Sequence, residues 1–204
     1  GISITSVEQI IPGLTLACLV KERRQDIHIT VGGSIFTKLV DRLEKGSPLF
    51  RFVDSFIVHE GETPLLRLVQ ELRGSRDFAR VPNLVWEDKG VVRVNRPFAK
   101  EELNALPTPD FDGMPLDLYL TPERVLPVMG SRGCYWERCA FCSIPFDHMD
   151  FHVRYAETVV ADCRKLKEKY NCNYFFFTDE ALPINFLKTF AAKLLEEKVD
   201  IQWT

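Results

Sequence analysis

Apolar and polar positions along this chain follow two alternating periods. Short apolar runs at 1–6, 27–31 and 55–59 have the length of buried strands. Between and after them lie stretches at 7–21, 35–44 and 63–73 whose apolar residues recur three and four apart, the last carrying Leu65, Leu66, Leu68 and Leu72. This β-α-β-α order predicts a parallel sheet with helices on both faces, and such sheets bind ligands beyond the carboxyl ends of their strands. Ser3 and Thr5 end the first run, Gly32 and Gly33 the second, and Gly61 follows the third. Glycine there takes positive φ readily and lets a backbone approach a flat ligand closely. No G-x-G-x-x-G follows any of these runs, which argues against a dinucleotide site.

From 76 to 121 the alternation stops and prolines gather at Pro82, Pro97, Pro107, Pro109 and Pro115, so this stretch reads as a connector. Within it, Val85-Trp86 and Val91–Val94 flank Glu87-Asp88-Lys89-Gly90 and predict a hairpin. Pro109–Asp112 reads as a loop that packs the two domains together, without chemistry. Beyond 122 the period changes again: a strand over 125–129, a helix over 157–169, an aromatic strand Tyr174–Phe177 expected to be core with neither face wet, a helix over 183–195 and a strand at the end. These repeats predict the opening of a parallel (β/α) barrel, whose sites gather at the carboxyl ends of its strands. The expected division is therefore 1–75, 76–121 and 122–204. Strand-like runs at both ends suggest a segment of a longer protein, with both folded units partial.

Composition narrows the class. The chain has 26 basic and 29 acidic residues and a net charge of −3, without the basic bias of a nucleic-acid binder. No apolar run approaches the roughly 20 residues that span a bilayer, and no signal-peptide pattern opens the chain, so neither nucleic acid nor membrane is an expected partner and the cytoplasm is the expected location.

Cys134, Cys139 and Cys142 stand in one loop as C-x4-C-x2-C, directly after the strand at 125–129. Cysteine thiolates are the usual ligands of iron–sulfur clusters, and a four-iron cluster held by three of them keeps one iron open. The alternative is a structural zinc site completed by His148. Six cysteines in 204 residues are too sparse for a disulfide framework, and Cys18, Cys163 and Cys172 read as small buried hydrophobes.

Phe141 before the last thiol of the loop and Arg132-Gly133 before the first add to the bare spacing, and the motif resembles that of radical S-adenosylmethionine (SAM) enzymes. The commonest spacing in that family is C-x3-C-x2-C, one residue shorter in the first gap. The resemblance implies that Cys134, Cys139 and Cys142 hold a [4Fe–4S] cluster, that SAM chelates the open iron and that Phe141 lies near its adenine. Thr178-Asp179-Glu180 ends the next strand, where the family carries a Gly-Glu motif facing the SAM amino group, which makes Asp179 and Glu180 candidate SAM contacts; a helix N-cap is the other reading of Asp179. Arg154 and Tyr155, just before the helix, read either as residues that help fold the loop back or as surface residues.

Ser3-Ile4-Thr5 is followed by 26 residues and then Gly32-Gly33, which is similar to the latter part of cobalamin-binding domains. That likeness implies that Ser3 and Thr5 line the pocket for the nucleotide tail and that Gly32, Gly33 and Gly61 pack against tail or corrin. His28 and His59 match no motif. A domain of this topology that has lost cobalamin is the alternative.

In this order the two motifs resemble the cobalamin-binding radical SAM enzymes: a partial Rossmann-like α/β domain followed by the start of a radical SAM barrel. The family implies reductive cleavage of SAM to a 5′-deoxyadenosyl radical for methylation, rearrangement or peptide maturation. It also implies a small-molecule or peptide substrate and an electron donor such as flavodoxin or ferredoxin. The competing classes are a non-catalytic α/β ligand-binding protein with a Cys3His zinc site, and an iron–sulfur electron carrier.

Overall fold

The computed structural model describes residues 1–144 and 150–204. The chain forms two compact units, Gly1–Glu101 and Glu102–Thr204. Among the described residues no helix is long and apolar enough to cross a membrane.

The first unit is built on a five-stranded sheet in the order β1 (Ile2–Ser3), β2 (Thr30–Gly32), β3 (Ser55–Ile57), β4 (Leu84–Asp88) and β5 (Val91–Val94). β1, β2 and β3 run parallel, as the alternation predicts, with α1 (Ile10–Arg23), α2 (Ser34–Lys38), α3 (Val40–Glu44) and α4 (Glu62–Arg73) between and after them. The stretch read as one helix over 35–44 is two, α2 and α3, parted at Leu39 with φ −102° and ψ 7°. Adjacent residues of β3 point to opposite faces, so Phe56 packs with Ile4, Val31, Ala17 and Phe36, while Ile57 packs with Leu68, Leu84 and Val81.

The connector of the sequence reading is shared between the units. Its hairpin, β4 and β5, adds antiparallel to β3, with Phe56 opposite Val85 and Ile57 opposite Leu84. Leu84 and Val85 are fully buried, and that burial is what draws the hairpin onto the sheet. The later part joins the second unit: Tyr170 accepts from the Phe111 N–H at 2.8 Å, its hydroxyl lies 2.7 Å from Asp110, and Lys169 pairs with Asp110 and Asp112. These contacts of Asp110, Phe111 and Asp112 lie within the second unit.

The second unit carries a parallel sheet in the order β10 (Gln202–Trp203), β9 (Tyr174–Phe177) and β6 (Val125–Val128), together with the two-residue pair β7 (Ser131–Arg132) and β8 (His152–Val153). Two helices, α5 (Ala156–Tyr170) and α6 (Ile184–Glu196), pack on the sheet through Val159, Val160, Cys163, Leu166, Phe186 and Phe190. These meet Leu126, Val128, Phe175 and Phe177 from the strands. The aromatic strand departs from expectation on its other face. Phe176 is 50% exposed and Val125 41%, because side chains alternate across the strand and both helices cover the same side.

Candidate functional site

At the carboxyl ends of β1 and β2 the structure brings Ser3, Thr5, Gly32 and Gly33 together. Ser3 is the register partner of Gly32, Ile4 N–H donates to the Gly32 carbonyl at 2.8 Å, and Ser34 Oγ donates to the Thr5 carbonyl at 3.2 Å. Ser3 and Thr5 are exposed. Gln9 Oε1 accepts from the N–H groups of Thr5 and Ser6 at 2.8 and 3.2 Å, closing the turn into α1.

The glycines differ in what requires them. Gly33 has φ +105°, and a Cβ there would lie 2.2 Å from the Ile4 carbonyl oxygen, so its first requirement is close passage of its own neighbouring strand. A Cβ at Gly32 would lie 3.3 Å from the Ile57 carbonyl oxygen. Gly61 has φ −117° and room for a side chain, so nothing in the backbone demands glycine there. His59, which no motif marks, sits at the same sheet end with φ 59°; its N–H donates to Thr37 Oγ1 at 2.7 Å and its ring lies 4.4 Å from Phe98. His28 is at the opposite end, half-buried, hydrogen-bonded to Ser55 Oγ at 2.9 Å and lining a cavity of about 320 Å³ with Phe78 and Trp86; burial lowers its pKa.

In the second unit the cysteine loop leaves the carboxyl end of β6, as expected. β7 and β8 pair antiparallel across its neck, Ser131 with Val153 and Arg132 with His152. Gly133, with φ +79°, turns the chain beside the Phe151 backbone, which explains the glycine before Cys134. The longer first gap bends at Glu137, φ 51°, and Cys142 N–H donates to the Cys139 carbonyl at 3.1 Å. All three thiols are free of disulfides, with Cys139 exposed and Cys134 and Cys142 half-buried. Tyr135, Trp136 and Phe141 around them are exposed, Phe141 at 92%.

Among the described residues no three histidine, cysteine or acidic side chains converge on a common point, so the loop presents its thiols without drawing them together. The donor set suits a cluster in chemistry: three accessible thiols of one loop and no competing disulfide. His148, the fourth ligand of the zinc alternative, lies outside the described residues. Cys163 and Cys172 are buried and belong to the core, and burial pushes the Cys163 thiol up to about 12. Cys18 is half-buried.

Asp179 is committed to the root of the loop. Its carboxylate accepts from Gly130 N–H at 2.9 Å, from Ser131 Oγ at 2.7 Å and from Ser131 N–H. It caps no helix, since α6 begins after Pro183. Glu180 beside it is exposed. Arg154 folds the loop back, donating its N–H to the Gly130 carbonyl at 2.7 Å and Nη1 to the Met129 carbonyl at 3.3 Å. Its guanidinium pairs with Asp162 at 2.6 Å, both side chains 5% exposed, and Thr108 Oγ1 donates to the other Asp162 oxygen at 2.5 Å. Asp162 and Thr108 carried no signal in the sequence.

No family model matches the chain, and no curated protein matches it. Solved structures do. The cobalamin-dependent S-adenosylmethionine radical enzyme OxsB, solved with aqua-cobalamin and S-adenosylmethionine bound, matches with a TM-score of 0.75 at 19% identity, over 98% of this chain and 29% of that one. The radical S-adenosylmethionine methyltransferase TsrM from Kitasatospora setae, with tryptophan substrate and a SAM analogue bound, matches with a TM-score of 0.68 at 18% identity, over 90% of this chain and 36% of that one. TsrM with cobalamin and a [4Fe–4S] cluster gives 0.67 at 18% identity, over 90% and 37%. The chain thus spans 29 to 37% of these proteins' length, and the likeness is one of fold.

Proposed function

We propose that this chain is the cobalamin-binding and cluster-binding portion of a cobalamin-dependent radical SAM enzyme. The carrying observation is the set of three accessible, disulfide-free thiols on the loop after β6, in a fold shared with enzymes solved with these cofactors. Cys134, Cys139 and Cys142 would ligate a [4Fe–4S] cluster, Phe141 would lie along the adenine of SAM, and the exposed Glu180 would face its amino group as a charge-assisted acceptor. Ser3, Thr5, Gly32 and Gly33, gathered on one sheet end, would receive cobalamin, with Gly61 at its margin. When bound, the reduced cluster with SAM supplies one-electron cleavage of a carbon–sulfur bond, and cobalamin supplies a methyl carrier. The chain's own work is to orient these groups and exclude water. The reaction would be a methylation, rearrangement or peptide maturation on a small-molecule or peptide substrate, with electrons from a donor such as flavodoxin or ferredoxin, in a reducing compartment such as the cytoplasm.

The test is electron paramagnetic resonance of the anaerobically reconstituted, reduced protein with and without SAM. A [4Fe–4S]⁺ signal that changes on adding SAM, and is lost in Cys139→Ser, is the expected outcome. Bound zinc with no cluster signal would overturn the reading.

A further inference from the structure

Tyr135, Trp136 and Phe141 of the loop that bears the thiols are exposed, yet the loop's first residues are closely held. Gly130 is buried and both of its backbone polar groups are taken by side-chain or neck partners: its N–H by the Asp179 carboxylate, its carbonyl by the Arg154 N–H. A Cβ at Gly130 would lie 2.8 Å from both Leu182 and Phe186, so the third side is closed by the segment leading into α6 and by α6 itself. Ser131, 2% exposed, gives both its N–H and its hydroxyl to Asp179. One residue earlier, the Met129 carbonyl is held by Arg154, whose charge is balanced by Asp162, itself held by Thr108.

We infer that Asp179 and the Arg154–Asp162 pair are positioning residues that aim the cysteine loop, and that Asp179 acts on the cluster site through Gly130 and Ser131 rather than as a contact to SAM. This rests on the cluster-binding reading above. Ser131 N–H and Ser131 Oγ both donate to Asp179 Oδ1, which fills the two lone pairs of that oxygen, and Gly130 N–H is shared between Oδ2 at 2.9 Å and Oδ1 at 3.1 Å. A carboxylate so engaged fixes main chain by charge-assisted bonds, while Glu180 at the next position is exposed. Thr108 gives part of the 76–121 stretch a role in the same clamp, reaching the loop through Asp162 and Arg154.

The test compares the intact protein with Asp179→Asn, Arg154→Lys and Arg154→Met. In metal-free protein, alkylation of Cys134, Cys139 and Cys142 is followed by mass spectrometry, with buried Cys163 as the internal measure of folding. After reconstitution, iron and sulfide per chain and the resonance spectrum of the reduced cluster are recorded. Asp179→Asn keeps one acceptor oxygen and must turn its amide NH2 toward the N–H of either Gly130 or Ser131; we expect loop thiols to react at least threefold faster, Cys163 to stay protected, cluster content to fall at least twofold and the spectrum to shift. Arg154→Lys, which keeps a cation for Asp162, should restore much of what Arg154→Met loses. Folded variants with wild-type thiol rates and a wild-type spectrum would overturn the inference. Should the wild type take up no cluster, the family reading fails while the thiol rates still decide the clamp. If Asp179→Asn does not fold, the lysine and methionine variants decide it.

Discussion

Two of the loops that leave the carboxyl ends of parallel strands in this chain are held in opposite ways. The turn after β2 is held by main chain: Gly33 lies against the Ile4 backbone, with no space for even a methyl group. The loop after β6 is held by charged side chains from distant positions, Asp179 and Arg154, with Asp162 behind. A turn fixed by backbone contact tolerates no added atom and is indifferent to charge. A loop fixed by carboxylate and guanidinium fails when a charge is left alone.

The sharpest way to break this comparison is Gly33→Ala, which combines positive φ with a collision against Ile4. It should cost about 4–5 kcal/mol or abolish folding of the first unit, read by urea unfolding through Trp86 fluorescence. A loss below about 1 kcal/mol would show that the turn can open without penalty. Next in size is Arg154→Met, which strands Asp162 in a buried site and should cost about 3 kcal/mol. The double variant Arg154→Met with Asp162→Leu should regain most of that, since an apolar pair can replace a buried ion pair. Equal losses in the single and double variants would place the contribution in packing rather than charge. The smallest effect belongs to Gly61→Ala, within about 0.5 kcal/mol, because its φ of −117° and open surroundings accept a side chain. A stable Gly61→Ala protein that loses cobalamin affinity would make that glycine a ligand contact, which Gly33→Ala cannot separate from folding.

Much of the first unit was legible because strand and helix periods differ and the parallel order follows from their alternation. The hairpin was legible as a hairpin, but its attachment to β3 depended on burial of Leu84 and Val85 against strands far away in sequence. The glycine pair stood out, although the pattern could not say that Gly33 faces Ile4 before any ligand. The three loop cysteines were visible from spacing alone. Their supports were not: Asp179 meets Ser131 across 48 residues and Thr108 meets Asp162 across 54, and no local period encodes such pairs. Arg154 stands near the loop in sequence, but its partner Asp162 sits two turns inside α5 and looks like any helix carboxylate. The wet face of β9 is hidden in the sequence because four aromatics in a row conceal an alternation that only one-sided helix packing reveals.

The pairing of Arg132 with His152 has a further consequence. It closes the segment between them at its neck, so much of the entropy of bringing the segment's ends together is already met before any metal arrives. The thiols of Cys134, Cys139 and Cys142 then meet one another at an effective concentration of about millimolar, set by the length of their own loop. Ligand assembly becomes a first-order event within one molecule, indifferent to dilution, and a cluster built there is expected to belong to a single chain rather than to bridge two.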